Sequence, residues 1–356
     1  MVEAIYPQEI KWNTKLVTLF SMVILSLISP GCDHSPWVAM PTRQVSVAYR
    51  DSLLIRGINL GGALEAPSPG EWGVTIQPHF FNTIHDAGLN AVRIPVRFSA
   101  HTSPSPPYII EPDFLQIVDK MIEQGLNSGL TIILDLHHFE ELMANPTNHR
   151  ERFLAIWAQL AEHYQNYPSH LNFEILNEPT DNLDADTWNM LIMDCINIIR
   201  QSNPERKVLI GGVNYNNIES LNLLQLPADE NLIAVFHFYE PFEFTHQGAS
   251  WVNNANKWIG NMWEGSTTEK EEIKQKLDLA ADWSASQQIP LLMGEFGTIK
   301  TADEGSRQRW TEFIVREAEE RNIGWIYWDF CGEFAVYNCQ QDAWNDTLIQ
   351  ALIQQP

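Results

Sequence analysis

Two short segments of this sequence each carry a glutamate that could do chemistry: Asn177-Glu178-Pro179 and Gly294-Glu295-Phe296-Gly297. Each glutamate follows an apolar run that is typical of a buried strand, residues 171–176 and 289–293. Two carboxyl groups on different strands are the minimum equipment for cleaving a glycosidic bond. One carboxyl group protonates the leaving oxygen while the other, ionised, attacks the anomeric carbon. The pattern therefore predicts a site built on Glu178 and Glu295.

The rest of the chain alternates short apolar runs with helical patterns. Strands are predicted over residues 53–60, 91–96, 130–136, 171–176, 207–210, 232–238, 289–293 and 324–328. Helices are predicted over residues 79–87, 113–128, 148–164, 185–200, 214–224, 269–286, 303–321 and 345–352. This alternation indicates an α/β protein with a parallel sheet, and eight strand–helix units suit a closed (β/α)8 TIM barrel. No Gly-x-Gly-x-x-Gly motif follows the first strand, which disfavours a dinucleotide-binding open sheet.

In a TIM barrel the chemistry lies at the carboxyl ends of the strands. Residues suited to chemistry stand at those positions in this sequence: Asn59, Arg93, His137, His138, Asn177, Glu178, His237, Tyr239, Glu295 and Trp328. We expect Arg93 and Tyr239 to bind the ionised carboxylate and to hold its pKa low. We expect His237 to hydrogen-bond the protonated one.

The remaining strand-end residues suit contacts with a sugar. The amide of Asn177 can hold a 2-hydroxyl group, and His137 and His138 can bind other hydroxyls. Trp328 would lie beneath the reacting ring, because flat sugar faces pack on aromatic rings.

Two of these groups have alternative interpretations. Arg93 and Asp135 could form a structural ion pair inside the barrel. The two adjacent histidines, with His237 and Asp135, are residue types that bind metal in metal-dependent barrel hydrolases. That alternative predicts His-x-His after the first strand, and Asn59-Leu60-Gly61 stands there instead. We therefore predict no metal and no cofactor.

Composition restricts the partners. The chain has 356 residues, is 44% hydrophobic and carries a net charge of −23. Without a basic cluster, nucleic acid and anionic membrane surfaces are not expected partners. Cys195 lies in a helical pattern and is expected to be buried. Cys331 and Cys339 share one loop, where an oxidising compartment would permit a disulfide.

The N-terminus has the composition of an export signal. Lys11 and Lys15 precede an apolar run over residues 16–29, and Gly31-Cys32 follows. This resembles a lipoprotein signal with Cys32 as the lipidated residue; simple cleavage or retention as an anchor are the alternatives. We expect an extracellular, periplasmic or lipid-anchored monomer. Three regions are predicted: a signal or anchor at 1–32, a tether at 33–46 and a single catalytic barrel domain at 47–356.

These motifs, in this order, resemble glycoside hydrolase family 5, the large cellulase family. The matching segments are Arg56-Gly-Ile-Asn, Val92-Arg93-Ile-Pro, Leu134-Asp-Leu-His137-His, Leu176-Asn177-Glu178-Pro, His237-Phe-Tyr239, Gly294-Glu295-Phe-Gly and Tyr327-Trp328. The similarity extends over residues 54–352. The chain is most similar to single-domain bacterial endo-β-1,4-glucanases of thermophiles, through His138-Phe-Glu-Glu-Leu-Met and the segment 241–251.

The resemblance implies a role for each matching residue. Glu178 matches the acid/base and Glu295 the nucleophile. The supporting residues of the active site are Arg93, His137, Asn177, His237 and Tyr239. The substrate-binding residues are Asn59, Glu65, His138, His246, Trp251 and Trp328. Gly62 stands where that subgroup has an asparagine, which is expected to weaken one sugar contact and to alter substrate preference.

The leading interpretation is a retaining endo-β-1,4-glucanase that acts on β-linked glucan or mannan polysaccharides and oligosaccharides. β-Mannanase, a bifunctional glucanase/mannanase, lichenase, xyloglucanase and exo-acting β-1,3-glucanase remain open, because the shared residues bind the reacting sugar rather than the distinguishing hydroxyls. A different class, a cell-surface glycan-binding protein without turnover, is disfavoured because both carboxylates and their partners are present.

Overall fold

The computed structural model describes residues 54–353, which form a closed barrel of eight parallel strands. In chain order the strands are β1 (Arg56–Asn59), β2 (Ala91–Val96), β3 (Thr131–Leu136), β4 (Leu171–Glu174), β5 (Val208–Gly211), β6 (Leu232–Phe238), β7 (Leu291–Phe296) and β8 (Gly324–Tyr327). Each strand pairs with the next, and β8 closes the ring by pairing with β1 through Arg56 opposite Trp325. The predicted (β/α)8 TIM barrel is confirmed.

Helices surround the barrel and occupy most of the predicted ranges. They are α1 (His79–Asp86), α2 (Pro112–Asn127), α3 (Glu140–Ala144), α4 (Pro146–His163), α5 (Ala185–Ser202), α6 (Val213–Asn216), α7 (Phe242–Thr245), α8 (Thr267–Gln287), α9 (Glu304–Glu320) and α10 (Asp346–Ile353). The helix predicted over residues 214–224 is instead the short α6 and a 3-10 helix, Ile218–Leu223. The sequence patterns did not predict α3 and α7, which are too short for a helical period to show.

Successive side chains of a strand point to opposite faces, so the barrel has one core inside it and another between the strands and the helices. Outward-facing residues pack against the helices, and inward-facing residues fill the barrel with a small apolar cluster: Ile133, Leu209, Ile233, Val235, Leu292 and Ile326. On β3 the next inward-facing residue after Ile133 is Asp135. On β6 the next inward-facing residue after Val235 is His237. The interior of the barrel therefore changes from apolar to charged toward the carboxyl ends of the strands.

Among the strand ends that differ from the sequence prediction, those of β4 and β7 affect the catalytic pair. β7 continues to Phe296, so Glu295 lies within the strand rather than after it. The ladder shifts register beside Gly294, where an added Cβ would lie 2.7 Å from Val235 Cγ1. β4 ends at Glu174, which leaves Glu178 in the following loop with a φ of 45°. Local backbone geometry, rather than hydropathy, determines these boundaries.

The segment after β8 contains a short hairpin that packs beside α1, where Tyr337 meets Phe80 edge to face. Its strands, β9 (Tyr337–Asn338) and β10 (Ala343–Trp344), pair antiparallel. Cys331 and Cys339 form a disulfide with Cα atoms 5.8 Å apart, within the usual range for such bonds. Cys195 is buried and free, as expected.

The disulfide is expected to stabilise the barrel. Replacing both cysteines, C331S/C339S, should lower the free energy of unfolding by about 2.5 kcal/mol, because the bond restricts a short loop of the unfolded chain. Thermal melts with and without reductant measure this. Reductant should lower the midpoint of the wild type and leave that of the double variant unchanged. Equal melting of wild type and variant would contradict the prediction.

Candidate active site

The site is built around Arg93, a fully buried guanidinium on β2. All five of its N–H groups donate hydrogen bonds. Two go to the carboxylate of Glu174, at 2.7 and 3.0 Å. The others go to Asn59 Oδ1 at 3.0 Å, Asn177 Oδ1 at 2.8 Å and Glu295 Oε1 at 2.8 Å. One cation therefore orients side chains from β1, β4 and β7 and from the loop that carries Glu178.

Arg93 is also 3.0 Å from Asp135 Oδ2 on β3. Its structural ion pair and its contact with the catalytic carboxylate thus coexist, where the sequence offered them as alternatives. Burial alone would disfavour the charged form of Arg93 and lower its pKa. The surrounding carboxylates outweigh this effect and raise the pKa of Arg93 well above its ordinary value. The guanidinium is a permanent positive charge.

Glu295 receives hydrogen bonds on both of its carboxylate oxygens. Arg93 Nη1 donates to Oε1, and the hydroxyl of Tyr239 donates to Oε2 at 2.9 Å. Its side chain is only 6% exposed. Donors on both oxygens favour the ionised form, which is the form that can attack an anomeric carbon. The contacts agree with those expected for a nucleophile.

Glu178 has a different environment. Its left-handed backbone turns the side chain back over the barrel mouth, where 27% of it is exposed. His237 Nδ1 lies 2.8 Å from Oε1, as expected for a histidine that contacts the acid. One oxygen of Glu178, one oxygen of Glu295 and one nitrogen of His237 lie within 4.8 Å of one another. The two carboxyl groups can therefore reach the same atom of a bound sugar.

Burial and mutual repulsion alter the acidity of the pair. Burial raises the pKa of Glu178 to about 7, and Arg93 only partly opposes it. Burial and the charge of Glu178 likewise raise the pKa of Glu295 to about 7, despite the opposing effects of His237, Arg93 and Tyr239. The sequence had predicted a low pKa for the nucleophile. The pair instead shares one proton near neutral pH, and the donors on Glu295 direct that proton to Glu178.

Residues beside the pair are arranged to contact a sugar. Asp135 accepts a hydrogen bond from His137 Nδ1, which directs the other ring nitrogen toward the mouth. Burial keeps the pKa of His137 well below its usual value, so the ring is neutral. The ring of Trp328 is parallel to that of His137, with 5.8 Å between centroids. Asn177 accepts from Arg93 through Oδ1, which leaves its Nδ2 to donate to a hydroxyl.

The predicted groove residues lie farther from the pair. His138 meets Trp72 edge to face at 5.8 Å, and Trp72 is 49% exposed. His246 is buried between Tyr239 and Phe242, at centroid distances of 4.9 and 4.1 Å. Trp251 is 40% exposed beside Phe334 and could support a sugar ring. The sequence analysis did not single out Trp72.

Glu65 is buried on the other side of the mouth. Its carboxylate accepts hydrogen bonds from the backbone N–H groups of Gly62 and Ala63. Burial raises its pKa to about 7 in spite of these donors. Gly62 has a φ of +78°, and an added Cβ would lie 2.9 Å from Val74 Cγ2. Val74 thus occupies space into which a larger residue at position 62 would extend.

The predicted role of Asn59 is wrong, and Glu174 was missed. Asn59 was expected to bind substrate, but its side chain is fully buried, accepts from Arg93 and donates to Gly294 O at 3.1 Å. It positions the β7 backbone instead. Glu174 was not predicted, because it lies inside residues 171–176, which the sequence analysis treated only as a strand; in the structure it is the last residue of β4. A charged residue within an apolar run, two positions after Asn172, was the signal that could have identified it.

The residues of the alternative metal-binding interpretation are His137, His138, His237 and Asp135. Within the described part of the chain they do not form one cluster of ligand atoms. Among residues 54–353, the cluster of His, Cys, Asp and Glu ligand atoms close enough for one ion is Glu178, His237 and Glu295. His137 and His138 are not part of it. The atoms of this cluster already contact one another or Arg93 and Tyr239, which suits an acid–nucleophile pair.

Comparison with known proteins agrees with this geometry. The family model described as cellulase (glycosyl hydrolase family 5) matches residues 52–334. Endoglucanase H of Acetivibrio thermocellus is 33% identical over 326 residues, which cover 89% of this chain and 35% of that protein. Endoglucanase C of the same organism is 31% identical and covers 83% of this chain and 97% of its own length. The chain thus spans about a third of the first relative and nearly all of the second.

Solved structures show the same architecture. Cel5A of Thermotoga maritima in complex with cellobiose is 43% identical to this chain and superposes with a TM-score of 0.84. The match covers 86% of this chain and 99% of the Cel5A chain. A complex of the same protein with mannotriose is 44% identical and covers 84% of this chain and 97% of its own, with a TM-score of 0.83. With the family match, these similarities confirm the prediction of a glycoside hydrolase: this chain belongs to glycosyl hydrolase family 5.

Proposed function

We propose that this protein is a retaining endo-β-1,4-glucanase. The observation that carries the proposal is the separation of Glu178 and Glu295, whose nearest ligand oxygens lie within 4.8 Å. Retaining glycosidases hold their two carboxyl groups about 5–5.5 Å apart, whereas inverting enzymes need about 6.5–9.5 Å to admit a water between acid and sugar. An oxygen of each glutamate within 4.8 Å of the other agrees with the retaining spacing and with a covalent intermediate.

The first step joins the sugar to the enzyme. Ionised Glu295 attacks the anomeric carbon, and protonated Glu178 gives its proton to the glycosidic oxygen as that bond breaks. Tyr239 and Arg93 hold the Glu295 oxygens in place. Glu178 is left ionised, and the N–H of His237 stabilises its new charge.

The second step releases the sugar. Glu178, now a base, takes a proton from a water molecule that attacks the anomeric carbon, and the bond to Glu295 breaks. Both carboxyl groups return to their starting states. The proton that the pair shares near neutral pH is thus the proton that the reaction moves, so the raised pKa of Glu178 serves the chemistry directly.

Relatives support a β-1,4-glucan as substrate. The two curated relatives are named endoglucanases, and the similar solved structures hold cellobiose and mannotriose. The net charge of −23 favours neutral over anionic polymers. Exposed Trp72 and Trp251 offer flat faces beyond the reacting sugar. The mannotriose complex of a 44% identical protein makes mannan the second candidate.

Export is part of the proposal. The basic and apolar leader ending at Cys32 supports it, and this segment lies outside the described residues. Within residues 54–353 no helix combines the length and apolar composition needed to cross a bilayer. We propose a monomer outside the cytoplasm, attached to a membrane if Cys32 is lipidated.

Removing each carboxyl group should have a distinct effect. E295A should abolish turnover of an activated aryl cellobioside, because nothing attacks the anomeric carbon, and azide should restore it with an inverted product. E178A should lower rates on cellooligosaccharides by about 10²–10⁴-fold while largely sparing activated aryl glycosides, which need no protonation. Steady-state kinetics on both substrates measure this. Equal losses of E178A on both substrates would contradict the acid/base role.

Removing the Tyr239 hydroxyl should shift the acidic limb of the pH profile. That hydroxyl stabilises ionised Glu295, so Y239F should raise its pKa, and the rise of kcat/KM with pH should begin about one pH unit higher. The basic limb, set by Glu178, should move less. Y167F is a matched control, because Tyr167 bonds Glu123 away from the site. An unshifted acidic limb in Y239F would refute the assignment.

The substrate is tested by comparing rates on barley β-glucan, carboxymethylcellulose, glucomannan, galactomannan and xyloglucan. The proposal predicts the highest kcat/KM on barley β-glucan, the unsubstituted glucan of this panel, with internal cleavage seen as a rapid fall in viscosity. E295A is the blank for contaminating activity. Faster hydrolysis of galactomannan than of any glucan would overturn the glucanase assignment in favour of a mannanase.

A further inference from the structure

The turn that follows β5 has an unusual backbone. Asn214, Tyr215 and Asn216, the last three residues of α6, have φ values of 57°, 61° and 54°. Left-handed conformations usually occur singly and favour glycine or asparagine. Asn214 is exposed, whereas Asn216 is fully buried. The turn therefore directs one amide side chain into the barrel mouth.

That amide contacts the histidine of the acid/base. Asn216 Nδ2 lies 3.3 Å from His237 Nε2, and the opposite ring nitrogen, Nδ1, lies 2.8 Å from Glu178 Oε1. Three side chains from α6, β6 and the loop after β4 thus form one chain of contacts. Asn216 touches neither carboxylate of the pair, so it can act only through His237.

The strand below is shaped to admit this amide. A Cβ added to Gly211, the last residue of β5, would collide with the Oδ1, Cγ and Nδ2 atoms of Asn216. Glycine at position 211 is therefore what lets Asn216 lie flat over β5 and reach the imidazole. Any larger residue there would push the amide away from His237.

The contact with Asn216 bears on which ring nitrogen of His237 carries the proton. Burial lowers the pKa of His237, so the ring is neutral and has one N–H. An amide N–H that donates to Nε2 requires this nitrogen to be bare, which puts the ring proton on Nδ1, facing Glu178. With the other tautomer, bare Nδ1 would accept a hydrogen bond from protonated Glu178 and could not donate to its carboxylate.

We propose that Asn216 is a positioning residue for the acid/base: its amide holds His237 in the Nδ1–H tautomer, which donates to Glu178 throughout the double displacement. The inference rests on the proposed role of Glu178. It assigns a function in catalysis to a residue that contacts the histidine of the acid/base rather than either carboxylate. Donation to Glu178 Oε1 leaves its second oxygen to carry the proton for the leaving group.

The first test compares N216G with N214G. Both replace an asparagine in the same left-handed turn with glycine, which tolerates that backbone, but only N216G removes the contact with His237. N216G should reduce kcat on cellooligosaccharides about tenfold, with KM unchanged and activated aryl cellobiosides affected less than about twofold. Its basic limb should move to higher pH by about half a unit or more. N214G should match the wild type.

The other charged or titratable groups facing Glu178 and His237 are the same in both variants: Arg93, Asp135, His137, Glu174, Tyr215, Tyr239 and Glu295. A shift of the basic limb in N216G alone is therefore attributable to the amide. A merely structural loss would lower activity equally for good and poor leaving groups and would leave the limb in place.

A second variant displaces the amide without changing it. G211A should reproduce the N216G phenotype, because its methyl group takes the place of the Asn216 side chain. The double variant G211A/N216G should be no worse than N216G, since the space is then empty. Additive losses would mean that the two residues act separately and would overturn the proposal.

Nitrogen NMR of protein labelled in histidine reads the tautomer directly, with the His237 signals assigned by their loss in H237Q. The wild type should show the Nδ1–H form, and N216G should gain the Nε2–H form. A wild-type Nε2–H ring, or an N216G pH profile equal to that of N214G, would overturn the inference. If wild-type turnover itself were absent, the proposed function would fail instead, so the two failures are distinguishable.

Discussion

One buried guanidinium holds the active site together. Arg93 is fully buried, and every N–H it has is used, so its position fixes five acceptors at once. Those acceptors come from strands far apart in sequence that only a closed barrel brings together. Removing the cation would leave the buried carboxylates of Glu174 and Glu295 without their shared positive charge, which is a strongly destabilising change in a protein core. Fold and chemistry therefore depend on the same side chain.

The balance of charge around Arg93 explains the protonation of the site. One cation faces Asp135, Glu174, Glu178 and Glu295, all largely removed from water. Burial raises the pKa of Asp135, Glu178 and Glu295 to about 7. The site thus retains protons that isolated carboxyl groups would lose. A retaining glycosidase needs one such proton on one member of its pair, and the unequal hydrogen bonding of Glu178 and Glu295 decides which member holds it.

Much of this could be predicted from the sequence, for identifiable reasons. Alternating strand and helix patterns give the barrel, and barrel geometry gathers the residues at strand ends, so Glu178, Glu295, Arg93 and Tyr239 were predicted to share a site. Contacts made by a residue within a predicted strand, or by a turn distant in sequence, could not be predicted from the sequence. Glu174 lies inside the predicted strand 171–176 and is the last residue of the observed β4. Asn216 reaches His237 only because three residues adopt left-handed backbone and Gly211 leaves space. The prediction of a low pKa for Glu295 was wrong, because burial in the assembled barrel raises that pKa and cannot be read from the sequence.

The most direct test of the account is the stereochemistry of hydrolysis, followed by proton NMR of the anomeric signals during the first minutes of reaction with a cellooligosaccharide. With one carboxyl oxygen of each glutamate within 4.8 Å of the other, the account predicts two successive displacements. The β-anomer should therefore appear first, with the α-anomer growing only as mutarotation proceeds. Initial formation of the α-anomer would require a water between acid and sugar, and would contradict the geometry on which the account rests.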